Sequence, residues 1–329
     1  GLIMATYKEI KGTQIEVLAS DPSNPVEGQV WYNSTSNVLK GQAATTAGAW
    51  ATGGNLNTAR QGVRGSGIKT AALAVGGQGG APTNELQQVT ELYNGSSWTE
   101  VNNPNLARSF AGATGTQTST LYFGGAAPNT AATESWNGTN WTTVNSLNTA
   151  RSGLGAAGVD NTSALAIGGS TNATETWNGT NWTEVNDLNT ARTGMGSMGI
   201  ITAALAAGGQ LPPGTKQVVT EQWNGTNWTE VNDLGTTCDT GAGSGTYTNG
   251  LVFGGDLGPP GTTANTQLWN GTNWSEQNNL SAARRQLGGS DGTGTSSALA
   301  FGGETPGLST ATDEWTGAGS GVTRTFTDS

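Results

Sequence analysis

Six Gly-Gly doublets begin at Gly76, Gly124, Gly168, Gly208, Gly254 and Gly302, spaced 40 to 48 residues apart. A tandem repeat of that period confines a chain to repeat architectures, in which each unit buries its apolar face against the next. Residues 147–187 show the unit in full: an Arg in TAR, an apolar run ending in the doublet, and two aromatics five residues apart around Asn-Gly. The Arg recurs at Arg60, Arg108, Arg151, Arg192 and Arg284, with Cys238 in the remaining unit. The aromatic pairs are Tyr93/Trp98, Trp136/Trp141, Trp177/Trp182, Trp223/Trp228 and Trp269/Trp274, and the sixth unit has Trp315 without a second aromatic.

Each unit reads as four short strands. Residues 153–159 are Gly-rich, as an innermost strand crowded near an axis requires. Residues 164–167 form a short apolar run suited to a buried strand. Thr174–Trp177 and Trp182–Val185 flank Asn178-Gly179, which predicts a tight hairpin with positive φ at both turn residues. With 53 Gly and frequent Thr, Asn and Ser, helices are disfavoured. Four strands per unit define a propeller blade, and the expected fold is all-β, a six-bladed β-propeller.

In complete units the second aromatic lies ten residues before the next Arg, and Trp50 lies ten before Arg60. A strand around Trp50 is therefore expected to supply the outer strand of the last blade and close the ring, removing exposed edges. Residues 1–48 are read as a short extended N-terminal arm that attaches by strand addition, and 49–329 as the propeller.

The net charge of −10 and pI near 4.4 argue against a nucleic-acid partner. The absence of His removes the commonest general base and zinc ligand, and Cys238, the single cysteine, excludes an intrachain disulfide. No apolar run reaches membrane-span length, and Gly1 to Glu16 lack the apolar core of a signal peptide, so neither membrane insertion nor export by that route is expected. No cofactor, metal or catalytic residue is expected. Met4 resembles a natural start, leaving Gly1 to Ile3 outside it.

The unit's Arg-containing start, apolar strand ending in Gly-Gly, Glu before an aromatic and following Trp closely resemble the kelch repeat over roughly residues 50–320. Members of that family include copper oxidases, whose histidine ligands are missing here, and cellular protein-interaction adaptors. Ahead of the repeats, GQVWYNSTSNVLKG at 28–41, preceded by DPSNPVE, resembles a strand-pair segment near the N-termini of bacteriophage tail and fibre-associated proteins. Together these imply a non-enzymatic virion structural protein, a tail-fibre or decoration propeller for host-surface recognition or adhesion. Its partners would be other virion proteins through the arm and a host surface glycan or protein. Alternatives are a polysaccharide depolymerase using carboxylates such as Asp160, Asp239, Asp256 and Asp313, and a cellular kelch adaptor.

The repeated Trp residues are expected between blades, and Trp31 lies outside the array. An acid precedes most third-strand aromatics, which predicts the pairs Arg60/Glu91, Arg108/Glu134, Arg151/Glu175, Arg192/Glu221 and Arg284/Glu314, with joint loss at Cys238 and Gln267. The Asn-X-Ser/Thr sequons at Asn94, Asn137, Asn140, Asn178 and Asn181 are read as turn chemistry, and Cys238 as a buried thiol. Between the doublet and the third-strand aromatic, spacing varies from seven to fifteen residues. Variable loops on a rigid scaffold are the usual place for recognition, and the candidate binding residues there are Gln78, Asn84, Asn129, Thr171, Leu211, Lys216, Asp256, Thr263 and Thr305.

Overall fold

The computed structural model describes residues 15–22, 29–42, 48–126, 128–258, 261–292, 296–317 and 323–326. Among them no residue is helical. The chain separates into two compact units, Gly48–Gly317 and a smaller one combining Gly1–Ala47 with Ala318–Ser329. The C-terminal strand thus groups with the N-terminal segment and not with the repeats.

In the larger unit the described strands form six four-stranded antiparallel sheets, as expected of propeller blades. The third repeat is representative, with strands Gly155–Asp160, Ser163–Ile167, Thr174–Trp177 and Trp182–Val185 in sequential order. The sixth sheet contains Gly288–Gly289, Ser297–Phe301 and Thr312–Thr316, and its fourth strand is Ala49–Thr52, with Trp50 opposite Trp315.

Third and fourth strands join through a four-residue loop, not the two-residue turn that Asn-Gly suggested. Trp177 faces Trp182 in register, only Gly179 takes positive φ, and the Asn178 side chain accepts the amides of Thr180 and Asn181. This Asx turn recurs at Asn94, Asn137, Asn224 and Asn270.

Apolar clusters lie between sheets, each drawing on two consecutive repeats, and one joins Phe301 of the sixth repeat to Tyr93 and Trp98 of the first. Every fourth-strand Trp spans such a seam. The indole N–H of Trp98, Trp141, Trp182, Trp228, Trp274 and Trp50 donates to Thr312, Thr90, Thr133, Thr174, Thr220 and Thr266 respectively, each 2.9 to 3.1 Å away in the preceding sheet.

The doublets have a similar purpose. The amide of Gly209 donates to the carbonyl of Cys238 in the next repeat, and that of Gly303 to Arg60 in the first. A Cβ on Gly208 would sit 2.4 Å from the Cys238 carbonyl, so the close approach at φ +68° requires glycine.

The smaller unit has its own sheet. Glu16–Leu18 runs parallel to Val30–Asn33, which pairs antiparallel with Val38–Gln42, and that strand pairs with Thr323–Phe326. Trp31 is fully buried and its indole donates to Asp21. The hydrogen bond from Lys40, then those from Asn33 and Trp31, hold the Asp21 carboxyl down at about 2. The described part of this segment is therefore a small folded sheet, where an extended arm was expected.

Candidate functional site

Most conspicuous repeat residues are engaged in the scaffold. Arg60 contacts Glu91, while Arg108 to Glu134, Arg151 to Glu175 and Arg192 to Glu221 measure 3.3, 2.7 and 2.9 Å, all with side chains 2% exposed or less. Each glutamate reaches further and accepts the amide of Asn57, Asn105, Asn148 or Asn189, pinning the loop ahead of the Arg. Isolated buried charges are costly, and here each charge is matched and hydrogen-bonded.

The fifth pair differs from the expected one. Arg284 binds Asp313 at 2.5 Å, whereas Glu314 accepts the hydroxyl of Tyr93 in the first repeat. Strand alternation gives the reason: Glu91, Glu134, Glu175 and Glu221 stand two residues before their aromatic and share its face, and two before Trp315 is Asp313. Glu314 faces the other way. The shorter Asp carboxylate leaves Oδ1 without a hydrogen-bond partner.

The deviant repeat is internally consistent. Cys238 Sγ donates to the Gly254 carbonyl, as Arg192 does to Gly208, and Gln267 accepts the amide of Gly235 while donating to Thr236. Burial pushes the Cys238 thiol up to about 12, far from a reactive thiolate.

The loops after the doublets carry the less regular chemistry. The residue after the Arg position and the residue after the doublet face each other as isolated bridges, Gln61 with Gln78, Ser109 with Ala126 and Thr193 with Gln210. In the last two repeats these positions are charged: Asp239 faces Asp256, and Arg285 faces Glu304.

Lys216 completes a network. It lies on a short hairpin, Gln210–Leu211 with Thr215–Lys216, and its ammonium contacts Asp239 and lies 3.4 Å from Asp256. Asp256 in turn lies 3.0 Å from Arg285, which is 2.7 Å from Glu304. Burial pushes the Asp239 carboxyl up against the pull of Lys216. Burial also opposes ionisation of Asp256, but the Gly258 amide, Lys216 and Arg285 outweigh it and hold that carboxyl below the usual range. Arg285 is raised, chiefly by its hydrogen bond to Glu304. With Arg285 37% and Glu304 20% exposed in their side chains, the alternating charges offer both donors and acceptors to a polar partner.

Of the loop residues singled out by spacing, the structure brings Lys216 and Asp256 together. Gln78 accepts the Ser109 hydroxyl, Asn129 accepts that of Ser152, and Thr171 bridges Arg192. Asn84 is exposed at φ +45°, Thr263 is buried, and Leu211 and Thr305 sit in short hairpins. Asp160 caps its own turn at Thr162, and Asp313 is engaged by Arg284. Arg285 and Glu304 were missed, although setting the six repeats in register exposes them as the charged pair where the first four repeats are neutral.

No protein-family model matches the chain, and no curated protein matches it. What the fold defines is a class: an all-β repeat protein of four-stranded antiparallel sheets, consistent with a β-propeller.

Proposed function

We propose that the larger unit is a closed, six-bladed, kelch-like propeller and that the chain is a non-enzymatic virion structural protein, recognising a host-surface glycan or protein through its doublet-side loops. The observation that carries the binding role is the network of Lys216, Asp239, Asp256, Arg285 and Glu304, in which every charge but the buried Asp239 is partly exposed. Closure is supported by seams that run from the sixth sheet to the first, including Trp98 to Thr312 and Gly303 to Arg60. The virion assignment is supported by the resemblance of residues 28–41 to phage tail and fibre-associated segments, and those residues include a strand pair of the smaller unit. That unit then serves for attachment to other virion proteins.

The test has two arms. The purified chain is applied to an array of bacterial surface polysaccharides and to whole cells, alongside the variant K216E/R285E. Specific binding that falls at least tenfold in the variant, with product chains of unchanged length, is expected. Equal binding by both proteins would remove the network from recognition, and shortened polysaccharide would establish a depolymerase instead. Antibody against the chain should label virions from the same source, and unlabelled virions would overturn the virion assignment.

A further inference from the structure

A cavity of about 50 Å³ is lined by residues from every repeat, among them Arg64, Gly112, Ala156, Ser197, Ala242 and Gly289. At two levels of the first strands around it, five repeats carry Gly or Ala and one repeat does not. Where the other repeats have Gly112, Gly155, Gly196, Ala242 and Gly288, the first has Arg64. Where the others have Gly67, Gly115, Gly158, Gly199 and Gly245, the sixth has Asp291.

These two are not each other's counterion. Asp291 accepts the amide of Gly115 at 2.7 Å and lies 3.4 Å from the Thr114 hydroxyl. Burial, only partly offset by those bonds, pushes its carboxyl up to about 8, so it is mostly neutral at pH 7. Arg64 donates Nε to the Ala111 carbonyl at 2.8 Å and Nη1 to its neighbour Val63 at 3.2 Å. Its guanidinium is lowered to about 10 by burial, with no carboxylate opposing the shift. The side chain keeps accessible surface although protein surrounds it, and that surface lines the cavity. An arginine in such a place stays charged, and a charge largely withdrawn from water without a counterion is costly.

We propose that this cavity binds one chloride ion, with the Arg64 guanidinium as its cation. The volume admits a monatomic anion with a water or two, while a sulfate or phosphate dianion would bring a second charge that nothing in the cavity balances. The inference is independent of the recognition role and does not use the loop network.

The experiment compares thermal unfolding of the full chain in sodium chloride, bromide and gluconate at equal ionic strength, for wild type and R64M. Because the ion binds only the folded state, halide should raise the midpoint saturably, by roughly 2–6 °C, in wild type only. A bromide-grown crystal should show one anomalous peak beside Arg64. No halide-specific rise, or an equal rise in R64M, would mean that the cavity holds water alone. Should R64M fail to fold, the crystal decides: bromide beside Arg64 upholds the site, and its absence there overturns it.

Discussion

The amide of Gly62, in the first repeat, donates to the carbonyl of Gln286, in the sixth, at 2.8 Å. The same bond recurs from Phe110 to Gly62, Gly153 to Phe110, Gly194 to Gly153, Thr240 to Gly194 and Gln286 to Thr240, so the series returns to its start. All six residues have φ between 52° and 68°, a conformation that turns each amide toward the preceding repeat. Three of them, Phe110, Thr240 and Gln286, are not glycine and accept the strain of this region.

Trp50 should contribute more to stability than its place outside the tandem array implies. It packs against Phe253 and Trp315 at 4.9 and 5.3 Å and bonds to Thr266. W50A is expected to cost about 2–4 kcal/mol, at the lower part of the range for buried aromatics because the ring is only partly buried. Urea unfolding measures it, and a loss below about 0.5 kcal/mol, the level of an ordinary surface change, would contradict the role assigned to this strand.

Breaking one arginine–carboxylate pair should be worse than replacing both members as the fifth repeat does. R151C leaves Glu175 buried without its cation and is expected to lose about 3–5 kcal/mol. R151C/E175Q, patterned on Cys238 and Gln267, should lose less than R151C alone. A double-mutant cycle with no coupling would show that the pair does not act as a unit.

Asp313 invites improvement. A glutamate there retains the bond to Arg284 and extends the carboxylate toward the loop amide, as in four other repeats, so D313E should stabilise by about 0.5–1.5 kcal/mol. E314D lies on the other strand face and should not reproduce the gain. Parallel denaturant curves give both values.

Stability should fall as pH rises from about 4 to 8. The Asp291 carboxyl titrates near 8 when folded against an ordinary value of 3.8, so across that window the folded state holds a proton that the unfolded chain has released. The contribution is therefore present at low pH and lost as pH climbs. D291N removes the titration, and its melting temperature should vary less over the window than that of wild type. Identical pH profiles would show that this carboxyl does not titrate as its surroundings require.

Much of this was legible because the repeat is a comparison of the chain with itself. The invariant ten-residue interval located Trp50, and the joint loss at Cys238 and Gln267 pointed to paired groups. Errors arose where one residue of phase matters. Glu314 adjoins Trp315 and looked like the acid, but alternation assigns that duty to Asp313. Asn-Gly signalled a turn correctly and its length incorrectly, because the flanking Trp pair is in register and leaves four residues in the loop. The strand Thr323–Phe326 pairs with Val38–Gln42, nearly the whole chain away, a relation that no local pattern carries. Lys216, Asp239 and Asp256 were visible singly, but their joining into one network with Arg285 and Glu304 was not, because the members come from separate loops that only the fold brings together.

The proposed closure of the ring through the first and sixth repeats is tested most directly by amide hydrogen exchange. If the ring is closed, the amides of Gly62, Phe110, Gly153, Gly194, Thr240 and Gln286 should be comparably protected and should exchange in one cooperative opening. Fast exchange at Gly62, with the other five protected, would show the seam open and contradict it.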